Sequence, residues 1–125
     1  MKQVLIINDN ECIRNRTAAM LHEMGWEVWT AHKDEDVFES LVARRPMMVV
    51  VDIEMTGGAG FEAISTARRL YRSLFIVAVT RVDDEEIWQK VARACGANEY
   101  VAGPVSPTKL QGTIQAGIDE YQISV

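Results

Sequence analysis

Three unbroken apolar runs, Val4 to Ile7, Met47 to Val51 and Leu74 to Val79, constrain this chain more than any other feature. Such a run without polar alternation predicts a strand buried on both faces, as found in parallel sheets covered by helices on each side. Two shorter, more mixed runs, Trp26 to Thr30 and Tyr100 to Ala102, fit the edges of that sheet. Between the runs, apolar residues recur at helical spacing: Ile13, Thr17, Met20, Leu21 and Met24; Val37, Phe38, Leu41 and Val42; Phe61, Ile64, Ala67 and Tyr71; Ile87, Val91, Ala94 and Cys95; Leu110, Ile114, Gly117, Ile118 and Tyr121. Asp83 with Glu86 reads as a capping box for the fourth helix. Ser106 caps the fifth, with Pro107 in its first turn. Gly25 and Gly96 stand where left-handed helix ends need them.

The alternation predicts an α/β protein: five parallel strands and five helices, wound by right-handed crossovers into a three-layer sandwich. At 125 residues, with no linker or repeat, residues 1–125 are expected to form a single domain. The formal charge of −5 and the scatter of nine arginines and four lysines argue against direct nucleic-acid binding. Arg68, Arg69 and Arg72 fall late in a helix, where cations suit its dipole. Cys12 and Cys95 lack redox or zinc spacing and are expected to be buried free thiols. No run is long enough for a membrane span, and the N-terminus does not read as a signal peptide, so a cytoplasmic protein is expected. Neither His22 nor His32 has a second ligand at metal spacing. The three tryptophans read as packing, with Trp88 the one to watch as a partner contact.

In open sheets of this kind ligands bind beyond the carboxyl ends of the strands. Those ends carry Asn8 and Asp9, then Asp52, then Thr80 and Arg81, then Gly103 and Pro104. Together with the stretches "VLIINDNECIR", "VVVDIEM", "IVAVT" and "CGANEYVAGP", they give the whole chain a pattern that resembles the receiver domains of two-component response regulators. The resemblance implies a doubly wound, flavodoxin-like (βα)5 fold with strand order 2-1-3-4-5. It implies that Asp52 accepts a phosphoryl group from a histidine kinase, a histidine phosphotransfer protein or a small acyl phosphate. The protein would be a signalling switch in a phosphorelay rather than an enzyme. Mg²⁺ or Mn²⁺ would be held by Asp9, Asp52 and the main-chain carbonyl of Glu54, with Asn8, at a position usually acidic in the family, reaching it through water. Thr80 matches the switch hydroxyl and Tyr100 the switch aromatic, carrying the change to the surface of the fourth helix, fifth strand and fifth helix, where an effector domain or partner protein would dock. Dimerisation is left open.

A strand-end carboxylate followed by glycines suits this chemistry. The buried strand fixes the nucleophile, and the glycine-rich loop lets backbone and water approach the transferring group. Gly57, Gly58 and Gly60 are expected to leave that loop mobile when the site is empty. The family pattern breaks at Gly103, where lysine is usual. A charge-assisted hydrogen bond of the kind that lysine makes is worth about 1.5 to 3 kcal/mol. Arg81 is the nearest substitute by topology, pointing either inward or to solvent. Glu54 reads either as a gate on attacking water or the metal, or as a solvent-facing loop residue. The Gly103–Pro104 bond is a candidate cis peptide.

Two other readings compete. A degenerate receiver would act by constitutive contacts, without phosphorylation, as a protein-interaction module. The stretch "DIEMT" faintly resembles the DxDxT loop of haloacid-dehalogenase-type phosphatases, but its place after a third strand and the short chain argue against that enzyme class.

Overall fold

The computed structural model describes residues 2–32, 34–81, 86–121 and 123, with side chains given at all of them but 34 and 35. The described chain alternates strand and helix: β1 (Gln3–Ile7), α1 (Glu11–Glu23), β2 (Glu27–Ala31), α2 (Asp34–Arg44), β3 (Met48–Asp52), α3 (Ala59–Leu70), β4 (Phe75–Val79), α4 (Glu86–Cys95), β5 (Glu99–Val101) and α5 (Pro107–Tyr121). A 3₁₀ turn, Thr56–Gly58, precedes α3. All pairings are parallel, and the order is β2-β1-β3-β4-β5. Asp83, expected to open α4, lies outside the described residues.

The three apolar runs are the central strands. Every residue of β3 and β4 is buried, whereas the edge strands β2 and β5 are only partly so. Pleating splits each central strand between two cores. Val4, Ile6, Val50, Val77 and Val79 face Leu21 of α1 and Leu110 and Ile114 of α5. Leu5, Ile7, Val49, Val51 and Ile76 face Leu41 of α2, Ile64 and Ala67 of α3, and Ala92 of α4. That is the three-layer sandwich expected from the alternation.

Several helix details follow the expected chemistry. Ser106 Oγ accepts the Lys109 amide hydrogen bond at 3.2 Å, closing the first turn of α5. Gly25 and Gly96 take φ values of 93° and 127° at the ends of α1 and α4. Arg68 does more than sit near a helix dipole. Its Nε and Nη2 donate to the Gly96 carbonyl at 3.0 and 2.9 Å, and Nη2 also donates to Asn98 Oδ1 at 2.7 Å. Asn98 Oδ1 in turn accepts from the Ile76 amide at 2.8 Å, so α3 is clasped to the α4–β5 loop and to β4. Burial pushes the Arg68 guanidinium below its usual range.

Other expectations fail. Cys12 is exposed and Cys95 only partly buried. Cys12 lies nine residues before the buried Leu21, which at about 100° per residue puts it on the opposite face of α1. Among the described side chains of α2, only Val37 and Leu41 reach the core, while Phe38 and Val42 are 52% and 48% exposed. That helix covers the edge of the sheet, where a narrow stripe suffices. The described chain contains no cis peptide, so the Gly103–Pro104 bond is trans. Gly103 instead turns the chain through φ = 76°, a conformation open to glycine and strained for lysine.

Gly117 marks the tightest helix-to-sheet approach. A β-carbon there would lie 2.1 Å from Phe75 Cζ and 2.6 Å from Cε1, and the Phe75 ring is fully buried. Gly117→Ala is expected to cost about 1 to 3 kcal/mol of stability through overpacking, read from the urea unfolding midpoint.

Candidate functional site

The polar rim is built from main chain outward. Ladder-type hydrogen bonds continue one residue past the strands: the Asn8 amide donates to the Ala31 carbonyl at 3.1 Å, Ile53 to Val79 at 3.0 Å, and Thr80 to Val101 at 3.0 Å. Asp52 is the last residue of β3, in register with Val79. The residues at these ends are therefore held as firmly as the sheet itself, and Asn8, Asp52 and Thr80 are each buried despite being polar.

Asp52, only 1% exposed, sits at the centre. Its Oδ1 accepts from the Glu54 amide at 2.7 Å, and its Oδ2 accepts from Asn8 Nδ2 at 3.0 Å. Arg81 Nε lies 3.4 Å from the same Oδ2 and 3.3 Å from Glu54 Oε2. Glu54 Oε2 also accepts from the Arg81 amide. Of the two orientations open to Arg81, the structure has the inward one, and Glu54 is its partner rather than a freely solvated loop residue. Burial pushes the Asp52 carboxyl above its ordinary range. The Glu54 amide, the Arg81 charge and the Asn8 amide oppose that rise, and the Glu54 charge adds to it.

Asn8 is tied on every side. Its Oδ1 accepts from the Asn10 amide at 2.9 Å, and its carbonyl accepts from Arg14 Nη1 at 3.0 Å. Asn10 Oδ1 accepts from the Ile13 amide at 3.0 Å and so caps α1. The next residue, Asp9, is exposed and accepts from the Thr56 amide at 3.3 Å, reaching across to the loop after β3. Gly57 and Gly58 supply φ values of 70° and 75° that bend that loop into α3.

Asp9, Asp52 and Glu54 thus bring hard oxygens to one rim. Among the described residues no three acidic, histidine or cysteine side chains form a ready-made metal cage. The donor set suits magnesium nonetheless, because that ion binds through one or two carboxylates, with carbonyl oxygen and retained water completing its octahedron.

Arg81 also lines a hollow of about 210 Å³ with Ile13, Arg16, Pro104 and Val105, on the side where the loop after β5 passes. On the other side a hollow of about 450 Å³ is lined by Ile53, Glu54, Met55, Phe61, Thr80 and Trp88. Trp88 is 44% exposed, and its ring stacks on Phe61 with centroids 6.0 Å apart. Tyr100, on β5, is partly buried.

Gly60, expected with Gly57 and Gly58 to loosen the loop after β3, is instead a buried residue of α3 packed on the strand end. A β-carbon there would lie 2.4 Å from the Asp52 carbonyl oxygen and 2.7 Å from Ile53 Cα, so its bare backbone lets α3 press on the strand end. A glycine at the second position of a helix, where it weakens the helix, is the signal that marks it.

A family model described as the response regulator receiver domain matches residues 4–115. The chain is 33% identical over 116 residues to the transcriptional regulatory protein AfsQ1 of Streptomyces coelicolor, covering 93% of this chain and 51% of that one. It spans about half the length of that relative. A CheY-like receiver domain protein from Methanospirillum hungatei superposes with a TM-score of 0.85 at 24% identity, covering 98% of this chain and 97% of that one. A response regulator protein from Burkholderia pseudomallei, solved with a phosphorylated aspartic acid, calcium ion and citrate, superposes with a TM-score of 0.84 at 24% identity over 98% of this chain and 71% of that one. No helix among the described residues is long and apolar enough to cross a membrane.

Proposed function

The chain belongs to the response regulator receiver domain family, and from that premise we propose that residues 1–125 are one receiver domain that takes a phosphoryl group on Asp52. A carboxylate oxygen of Asp52 attacks phosphorus as the P–N bond of a phosphohistidine, or the P–O bond of an acyl phosphate, breaks and the leaving group takes the electron pair. The observation that carries this reading is the setting of Asp52: a carboxylate 1% exposed, fixed at the end of β3 between the charges of Arg81 and Glu54, with Ile53, Glu54 and Thr80 around it lining an open hollow. Asp9, Asp52 and the Glu54 carbonyl would hold Mg²⁺ or Mn²⁺, with Asn8 near its waters. Bound there, the ion would neutralise charge on the transferring oxygens.

The chain's own groups do the remaining work. The Glu54 amide and Asn8 Nδ2 orient the Asp52 carboxylate before the donor arrives. Thr80, the residue after Val79, which pairs with Asp52 at the end of β4, supplies the hydroxyl that follows the modified side chain, and Tyr100 on β5 responds to it. The α4-β5-α5 face would be the output, and it carries exposed Ile87 and Trp88 on α4 and Tyr121 on α5. Donors would be a cytoplasmic histidine kinase or histidine phosphotransfer protein, and the readout an effector domain or partner protein on that face.

With magnesium and an acyl phosphate, intact-mass measurement is expected to find one phosphoryl adduct on the wild-type protein and none on Asp52→Asn. Gly103 favours a second reading, a receiver that signals by contacts alone. That reading predicts no adduct even with a cognate kinase, and partner binding indifferent to Asp52→Asn.

A further inference from the structure

We propose that Arg81 is the phosphoryl-binding cation of this site, taking over from the lysine that Gly103 replaces, and that Glu54 is the residue that positions it. The assignment rests on the phosphoacceptor reading of Asp52 and identifies which cation serves it.

Three observations converge. Arg81 Nε stands 3.4 Å from Asp52 Oδ2, and among the described residues no other cation pairs with that carboxylate. Glu54 fixes the arginine twice, through its amide and through its side chain, so the guanidinium does not depend on Asp52 alone to stay inward. The side chain also lines the hollow beside Pro104, on the side of the loop that follows β5. Lys109 is the competing cation near that loop, but its ammonium donates to the Ala102 carbonyl, outside the carboxylate cluster. Gly103 at φ = 76° offers a poor backbone for a lysine in its own place.

The arrangement gives Arg81 two successive partners. Before transfer it offsets the Asp52 charge. In the transfer from an acyl phosphate, an Asp52 oxygen bonds to phosphorus, the P–O bond to the acyl group breaks, and the carboxylate product leaves with the electron pair. No proton is required. The new mixed anhydride removes charge from the Asp52 carboxylate and places it on phosphoryl oxygens at the same rim. Beyond Nε, which faces Asp52, a guanidinium carries further N–H donors at Nη1 and Nη2, in a planar fork whose geometry matches phosphoryl oxygens.

Because Arg81 also repels a divalent cation, removing it should move two readouts in opposite directions. Arg81→Ala should slow phosphorylation by acyl phosphate in saturating magnesium roughly 10- to 100-fold. In the absence of any phosphoryl donor, the same variant should bind magnesium or manganese more tightly in a Trp88 fluorescence titration, since the rim loses a positive charge. Arg81→Lys should recover part of the rate, Glu54→Gln should lose part of it, and Lys109→Ala should match wild type. Thermal unfolding of each variant checks that the fold persists. An Arg81→Ala protein phosphorylated as fast as wild type, or binding metal more weakly, overturns the assignment alone. A wild-type protein that takes no phosphoryl group overturns both the assignment and the phosphoacceptor reading.

Discussion

Gly60→Ala should be the most damaging single-methyl change in the molecule. The added carbon meets the Asp52 carbonyl oxygen at 2.4 Å and Ile53 Cα at 2.7 Å, and both obstacles are backbone. Neither can rotate aside as a flexible side chain would. One of them lies on β3, buried along its whole length between β1 and β4, so relief has to come from moving α3 outward. The expected loss is about 3 kcal/mol, the upper end of overpacking costs. The site should suffer beyond the stability loss, because the methyl group pushes against the residue that carries the nucleophile. A shift of about 1 Å at a reacting group can cost roughly 100-fold in rate. Chemical denaturation gives the first quantity. The rate of acyl-phosphate labelling at a temperature where the variant is folded gives the second. A variant as stable and as reactive as wild type would mean that α3 does not press on the strand end as the structure has it.

Asp52 should leave a second large signature, in the pH dependence of stability. Its folded pKa is raised, first by burial, above the unfolded value near 3.8. In the window between those values the folded chain binds more protons than the unfolded one. Stability from this group is therefore fully present below about pH 3.8 and is lost as pH rises through the folded pKa. The stability difference between wild type and Asp52→Asn should fall across that window with a slope of at most about 1.4 kcal/mol per pH unit, and flatten above it. Urea unfolding of both proteins at a series of pH values reads the difference directly. The asparagine also unsettles Asn8 Nδ2 and Arg81, which shifts the whole difference curve without changing its slope. A difference that grew with pH would show that the Glu54 amide and Arg81 outweigh desolvation.

The architecture was legible because its signals are redundant. Val49, Val50 and Val51 cannot occupy an edge, and the five helical repeats between the runs leave a parallel sheet as the arrangement that covers both faces. The location of the rim followed from the same pattern, since Asn8, Asp52 and Thr80 each come one step after or at the end of an apolar run. What could not be read was how side chains divide the rim among themselves. Whether Arg81 turns toward Asp52 depends on Glu54 accepting from its amide, a contact across two loops that no local pattern encodes. Asn8 was expected to serve a metal's water; its direct bond to Asp52 depends on the spacing of β1 and β3. Gly60 and Gly117 look alike in sequence to the permissive glycines 57 and 58, yet they are required for close approach and not for backbone freedom. The trans bond at Pro104 and the positive φ at Gly103 belong together as one turn, and the missing lysine is therefore accompanied by a backbone suited to its absence.

Locating the adduct tests the central claim most directly. Wild-type protein incubated with an acyl phosphate and magnesium, reduced with borohydride and digested, should yield a peptide in which Asp52 has become homoserine. The same treatment with a chelator in place of magnesium should leave Asp52 unchanged. Homoserine at another aspartate, or equal conversion of Asp52 without the metal, would contradict the account.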